Sequence, residues 1–226
     1  MGKRGPKPKG KVGIVWSPAF AYAIGLLVTD GNLSPSGRHI NLTSKDLELI
    51  QTFQEALGIT GHIGKKSSGH GGGEKKYYVV QFGDVLFYDF LLSIGLTPNK
   101  TKTIGAVDIP KEYFFHFLRG HFDGDGCTYS YWDSRWEHSF MFYLGFASAS
   151  LAHLQWLRLM IASLLPVRGH ITHNKEGTYH QLKYAKREGI QVIRKMYESP
   201  NALCLERKRL KIEQMLSIVG EHLLKG

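Results

Sequence analysis

The feature that most constrains this chain is that it repeats itself. IGLLVTDGN (Ile24–Asn32) is echoed by LRGHFDGDGC (Leu118–Cys127), and Gly25 with Gly120, Asp30 with Asp125 and Gly31 with Gly126 share one offset of 95 residues. Downstream, INLTSKDLELIQTFQEAL (Ile40–Leu57) resembles LGFASASLAHLQWLRLMI (Leu144–Ile161). Both pass from alternating apolar residues into a helical pattern, with Leu47, Ile50 and Phe53 set against Leu151, Leu154 and Leu157. Ser44 and Ser148 stand at the switch as N-caps or turn formers. Gly61-His62-Ile63 then matches Gly169-His170-Ile171, and YYVVQFGD (Tyr77–Asp84) matches YHQLKYAK (Tyr179–Lys186), each as the second part of a hairpin. A period of roughly 100 residues marks a duplicated domain rather than a solenoid.

Each copy reads helix, two strands, helix, two strands, helix. The expected fold class is α+β: two pseudo-twofold-related αββαββα repeats, each with a four-stranded antiparallel sheet, facing each other as a saddle. The boundaries expected are 1–14 for a flexible basic arm, 15–108 for the first repeat and 109–226 for the second. The arm is inferred from MGKRGPKPKGKV, where five basic residues and two prolines stand among almost no apolar side chains. The Gly-rich stretch from Ser67 to Gly73 is read as a loop tip, and IEQMLSIVGEHLLKG (Ile212–Gly226) as a closing helix.

Twenty-nine Lys and Arg against 19 Asp and Glu leave a formal charge of +10, which favours a polyanionic partner. Cys127 and Cys204 form no CxxC pair, so neither a zinc site nor a disulfide framework is expected. A reducing compartment, cytoplasmic and nucleoid-associated or an organellar matrix, suits them better than secretion. The longest apolar stretch, Ala19–Val28, is roughly half of a bilayer crossing, so no membrane association is expected.

The repeated motif has a physical logic of its own. Ala23, Gly25 and Gly120 are small residues that let two helix backbones approach closely. Each helix then ends at an Asp-Gly step, with Gly31 and Gly126 suited to the left-handed position that closes a helix. Asp30 and Asp125 would therefore lie at the negative ends of their helix dipoles, a location disfavouring a carboxylate by up to about 1 kcal/mol. Two such acids brought together would also repel. A divalent cation between them removes both objections, because hard oxygen ligands suit Mg²⁺ and phosphate oxygens can complete its shell.

AIGLLVTDG (Ala23–Gly31) and LRGHFDGDG (Leu118–Gly126) resemble the two motif copies of single-chain LAGLIDADG homing endonucleases, and the likeness extends over nearly the whole chain past the arm. The resemblance implies a monomeric, site-specific nuclease that hydrolyses one phosphodiester on each strand of double-stranded DNA. Asp30 and Asp125, with the adjoining Gly31 and Gly126, would form the metal sites for Mg²⁺, with Mn²⁺ or Ca²⁺ possible in its place. The family also has a basic side chain late in each repeat. NKTKTI (Asn99–Ile104) and ERKRLK (Glu206–Lys211) occupy that region, and Lys102 aligns with Lys208 as the catalytic pair, Lys100 and Arg207 being the nearest competitors. Val28 replaces the first acid of copy one where copy two keeps Asp123, and Arg119 and His121 stand where small or apolar residues are usual. The competing class is a catalytically inactive nucleic-acid-binding relative, such as an intron maturase or transcription regulator.

A sheet with one face on helices turns alternate residues outward. Ile40, Leu42, Val80, Phe82, Leu144, Phe146, Leu182 and Tyr184 are assigned to the core. His39, Asn41, Gln81, Met141, Tyr143, Gln181 and Lys183, with Tyr179, are assigned to the outer face. Such a face fits a major groove, where Asn or Gln suits adenine and Arg or Lys suits guanine. Arg38, Lys75, Lys76, Arg135 and Lys175 would add phosphate or base contacts. Each half would cover about 10 bp, giving a long and weakly palindromic DNA site because the halves differ.

Overall fold

The computed structural model describes residues 10–67, 76–136 and 139–223. The first repeat comprises α1 (Pro18–Thr29), β1 (Gly31–Leu33), β2 (His39–Ser44), α2 (Leu47–Leu57), β3 (Ile63–Lys66), β4 (Tyr77–Gly83) and α3 (Val85–Ser93). The second comprises α4 (Phe114–Asp125), β5 (Gly126–Trp132), β6 (Phe140–Ser148), α5 (Leu151–Leu164), β7 (His170–His173), β8 (His180–Ala185) and α6 (Lys186–Met196). A further helix, α7 (Glu206–Ile218), follows it. Both sheets are antiparallel with the same order, β1-β2-β4-β3 and β5-β6-β8-β7. The α+β duplication is as the sequence predicts, except that the closing helix expected at 212–226 runs from Glu206 to Ile218 and takes in the ERKRLK segment.

α1 begins where Ser17 Oγ accepts from Phe20 N, with Pro18 at the first helical position. Every residue from Phe20 to Val28 is buried, so this helix is covered on all sides. Among the described residues no helix is long and apolar enough to cross a membrane. The partner of α1 is α4, and the two backbones touch. A Cβ added to Gly25 would stand 2.2 Å from Phe117 O, and one on Gly120 would stand 2.0 Å from Tyr22 O. Any side chain at either position would hold the helices apart.

The polar residues of α4 fasten the second repeat together. Asp123 is buried and accepts from Tyr22 Oη (2.8 Å) and Leu205 N (2.7 Å), tying both central helices to the approach to α7. Arg119 is buried and donates to Leu203 O (2.7 Å) and to Met196 O. His121 Nε2 meets His153 Nε2 on α5 at 3.1 Å. Arg119 and His121, the two departures from the motif in α4, are thus structural ties, as is the retained Asp123.

The strand faces follow the predicted alternation: Ile40, Leu42, Val80, Leu144, Phe146, Leu182 and Tyr184 are buried, with Phe82 partly so. Ser44 and Ser148 are turn formers, accepting from Asp46 N (3.1 Å) and Ser150 N (3.0 Å). The N-caps are Asp46 and Ser150 themselves. Of the expected arm, 1–14, residues 1–9 lie outside the described residues, and Lys11 and Val12 are held in place. Lys11 N and Val12 N both donate to Asp84 Oδ2, at 2.5 and 3.0 Å, and Val12 is buried, so this carboxylate pins the chain before α1 as well as capping α3. Lys75 and most of the 67–73 loop tip lie outside the described residues.

Because the atoms facing Gly25 and Gly120 are backbone, they cannot yield by a rotamer change. Gly25→Ala or Gly120→Ala is expected to cost about 3 kcal/mol or more, the upper end for overpacking. Gly13→Ala, with nothing within 4 Å of the added Cβ, should stay within about 0.5 kcal/mol in the same denaturation experiment.

Candidate active site

The crossing of α1 and α4 brings two helix C-termini side by side. Asp30 caps α1, its N–H donating to Leu26 O, and Asp125 is the last residue of α4. The expectation that Gly31 and Gly126 are left-handed is not met. Neither has a positive φ, and Gly126 is extended (φ −79°, ψ 154°). Glycine is needed there because the chain folds straight back along its own helix. A Cβ would meet Leu27 O at 2.5 Å in the first case and Phe122 O at 2.5 Å in the second.

Asp30 Oδ2 lies 3.2 Å from where a Cβ on Gly124 would stand, against the last turn of α4 beside Asp125. Asp30 is half-buried and Asp125 reaches the solvent at the rim. Burial, and then the charge of Asp125, push the Asp30 carboxyl up to about 7, while Lys208 and Lys100 pull against them. Asp125 is also raised by burial, against the same two lysines.

The lysines that stand beside the acids are Lys208 and Lys100 rather than Lys102. Lys102 is exposed, whereas Lys100 is buried and donates to Gly31 O at 2.5 Å. Asn99 takes a left-handed φ of 57°, and Lys100–Lys102 form a 3₁₀ turn. With three residues per turn, Lys100 pointing inward leaves Lys102 pointing out. Lys208 does reach the site, its three N–H donors shared among the carbonyls of Phe122 (2.7 Å), Asp123 (2.9 Å), Gly124 (3.2 Å) and Gly126 (2.7 Å). An ammonium there offsets the negative end of the α4 dipole, where Asp125 sits. Burial lowers Lys100 to about 8, against the charges of Asp125 and Asp30.

The glycine carbonyls expected in the metal sites, Gly31 O and Gly126 O, accept from the Lys100 and Lys208 ammonium groups. Among the described residues no group of three or more His, Cys, Asp and Glu could hold a metal. A cation between Asp30 and Asp125 would therefore need oxygens from water or a phosphate. A cavity of about 50 Å³ beside Asp125 is lined by Thr29, Lys100, Ser148, His121 and His153.

The outer faces of the two sheets differ in chemistry. In the first, Asn41 lies opposite Asn32 and Gln81, a cross-strand row of carboxamides, with His39 two residues along β2 and Arg38 exposed in the preceding turn. Lys76 is exposed at the foot of β4. In the second, Tyr143 stacks on Tyr129 (centroids 4.8 Å apart) and faces Tyr131 (6.5 Å), with Lys183 Nζ 5.7 Å from the Tyr129 ring. Gln181 Nε2 donates to Cys127 Sγ (3.0 Å), and Tyr179 and Lys175 are exposed nearby. Arg135 is exposed but chelated by Asp133 at 2.9–3.0 Å. Asn32, Tyr129 and Tyr131 were not singled out by sequence, although GCTYSYW alternates once a strand is started at Gly126.

The raised Asp30 makes stability depend on pH. Its carboxyl binds a proton more tightly in the fold (about 7) than when unfolded (3.8), so its stabilising contribution is complete below about pH 4 and is lost as pH rises through 7. Metal-free Asp30→Asn is expected to melt above the unaltered chain at pH 8, by about 2–4 °C for each kcal/mol relieved, with the gap narrowing towards pH 4. A pH-independent gap would refute this coupling.

A family model described as a LAGLIDADG-like domain matches residues 17–95. Among solved structures, the I-LtrWI LAGLIDADG homing endonuclease bound to target DNA is similar with a TM-score of 0.57 at 12% identity, over 92% of this chain and 93% of that one. I-DmoI in complex with DNA and Ca gives 0.54 at 16% identity, over 86% and 97%. Full-length DUF199/WhiA from Thermatoga maritima gives 0.52 at 15% identity, over 90% of this chain and 61% of that one. No curated protein matches the sequence. Residues 17–95 thus form a LAGLIDADG-like domain, and the chain as a whole has the two-repeat fold of the single-chain LAGLIDADG homing endonucleases.

Proposed function

We propose that this chain is a monomeric, site-specific DNA endonuclease that hydrolyses one phosphodiester on each strand of a long, weakly palindromic duplex site. The observation that carries the reading is the acid pair: Asp30 and Asp125, from different repeats, end adjacent helices and are flanked by Lys100 and Lys208. An inactive nucleic-acid-binding relative has no need to bear the electrostatic cost of two crowded carboxylates. The net charge of +10 suits a DNA partner, and related folds were solved on DNA with Ca and with Mn.

Asp30 and Asp125 would hold the divalent cations, Mg²⁺ in this reading, with phosphate and water oxygens completing the shell. When bound, the metal supplies charge stabilisation and an acidified water for hydrolysis. The protein's own contribution is electrostatic: the two carboxylates orient the metal sites. Lys100 and Lys208 offset the helix ends and add positive charge near the developing phosphorane. Lys100 replaces Lys102 in this scheme. The carboxamide row of the first sheet and the tyrosine stack of the second would read their half-sites differently. Asn41 and Gln81 suit adenine edges, while the rings of Tyr129 and Tyr143 offer apolar contact and hydroxyls.

The test is cleavage of a randomised duplex library with Mg²⁺, followed by sequencing of the cut ends. Asp30→Asn and Asp125→Asn are each expected to reduce cutting by at least about 100-fold, the scale of losing one electrostatic stabiliser. Lys100→Ala should impair cutting while Lys102→Ala leaves it unchanged. Cleavage should rise with pH through about 7 as Asp30 ionises and a proton no longer competes with metal. Sequence-specific binding without cutting by the unaltered protein would overturn the nuclease reading.

A further inference from the structure

Each lysine that reaches the acids belongs to one repeat, but the segment carrying it is held by the other. Beyond Lys100, Ile104 O accepts from Ser150 Oγ (2.5 Å) and Gly105 O accepts from His153 Nδ1 (2.8 Å), both residues at the start of α5 in the second repeat. The turn itself is closed by Ile104 N donating to Lys100 O (2.8 Å), so fixing residues 104 and 105 fixes Lys100. Next to Lys208, Arg207 donates to Asp46 Oδ1 (2.9 Å) and Oδ2 (2.8 Å), and Glu206 N donates to Glu48 Oε1 (3.0 Å). Asp46 and Glu48 stand at the start of α2 in the first repeat.

These anchors are equivalent by fold. Asp46 and Ser150 are the N-cap residues of α2 and α5, and each donates its N–H to the serine two residues before it, Ser44 or Ser148. The chemistry has diverged. One anchor is a bidentate ion pair with 59% of the Arg207 side chain exposed, and the other is a neutral pair of donors with Ser150 and His153 buried.

We propose that the Asp46–Arg207 ion pair, and Ser150 with His153, separately position Lys208 and Lys100 in the acid site, with Asp46, Ser150 and His153 each acting from the repeat opposite the lysine concerned. The function assigned to the lysines rests on the nuclease reading, whereas their anchoring rests on the contacts alone. Two unlike anchors make the halves of the site separately adjustable: salt screens the exposed pair and leaves the buried one intact.

The test is competitive labelling of the full chain with an amine-acylating reagent, read at each lysine by mass spectrometry without DNA or metal. Arg207→Gln and Asp46→Asn are expected to raise labelling of Lys208 by up to about fivefold, the factor an exposed ion pair is worth, with Lys100 unchanged. Ser150→Ala should do the reverse, raising Lys100 by about two- to tenfold, the scale of one hydrogen bond. Asp46→Glu, which keeps a carboxylate within reach of Arg207, and Ser150→Thr, which keeps the hydroxyl, should both label as the unaltered chain does. A rise at both lysines together in the anchor variants, as from general loosening, or no rise at either, would overturn the proposal. Neither outcome depends on whether the protein cuts DNA, so this test and the cleavage test fail independently.

Discussion

Two glycines a repeat apart allow α1 and α4 to meet backbone to backbone, and nearly everything of interest follows from that approach. With Gly25 against the α4 main chain and Gly120 against that of α1, the helices run together to a common end. Their last residues, Asp30 and Asp125, are then neighbours whether or not the two charges favour it. Each strand that leaves a helix end turns back at once, through Gly31 or Gly126, so the sheets open to either side of the acid pair. A single packing contact thus sets both the two-lobed shape and the location of the chemistry.

The acid pair is held against its own electrostatics. Burial and mutual repulsion raise the Asp30 carboxyl to about 7, and a helix C-terminus is a poor place for an anion. Local carbonyls are answered by lysine ammonium groups, most completely at α4, where Lys208 spans four of them. Those lysines lie far along the chain from the motifs they serve and are steadied from across the pseudo-twofold axis. The site is a joint product of both repeats: neither supplies its acid, its lysine and that lysine's anchor by itself.

Duplication has not kept the halves alike. Asp123, where the first repeat has Val28, is consumed in holding Tyr22 and Leu205, and His121 and Arg119 are buried in ties to α5 and to the approach to α7. The outer sheet faces diverge as well, carboxamides in one and stacked tyrosines in the other. The second repeat also carries an additional helix, α7, whose first turn holds Lys208.

The repeat, the element order, the inward strand residues and the two acids were all legible in sequence, because each is written in local periodicity or in a short motif copied twice. Asn41, Gln81 and Tyr143 were placed outward by alternation alone. Alignment pairs Lys102 with Lys208, whereas Lys100 is the one that lies beside the acids, because a left-handed Asn99 and a three-residue turn rotate the chain in a way that alignment does not register. The conformations of Gly31 and Gly126 were misjudged for a related reason: Asp-Gly suggests a left-handed cap, but the steric demand comes from the helix behind it. Anchors such as Asp46–Arg207 and Ser150–Ile104 join residues far apart in sequence across two repeats. Such pairs leave no local pattern, since they exist only once the central helices have closed and brought the two lobes into register; the sequence determined the parts and their chemistry, and the closure decided which of them meet.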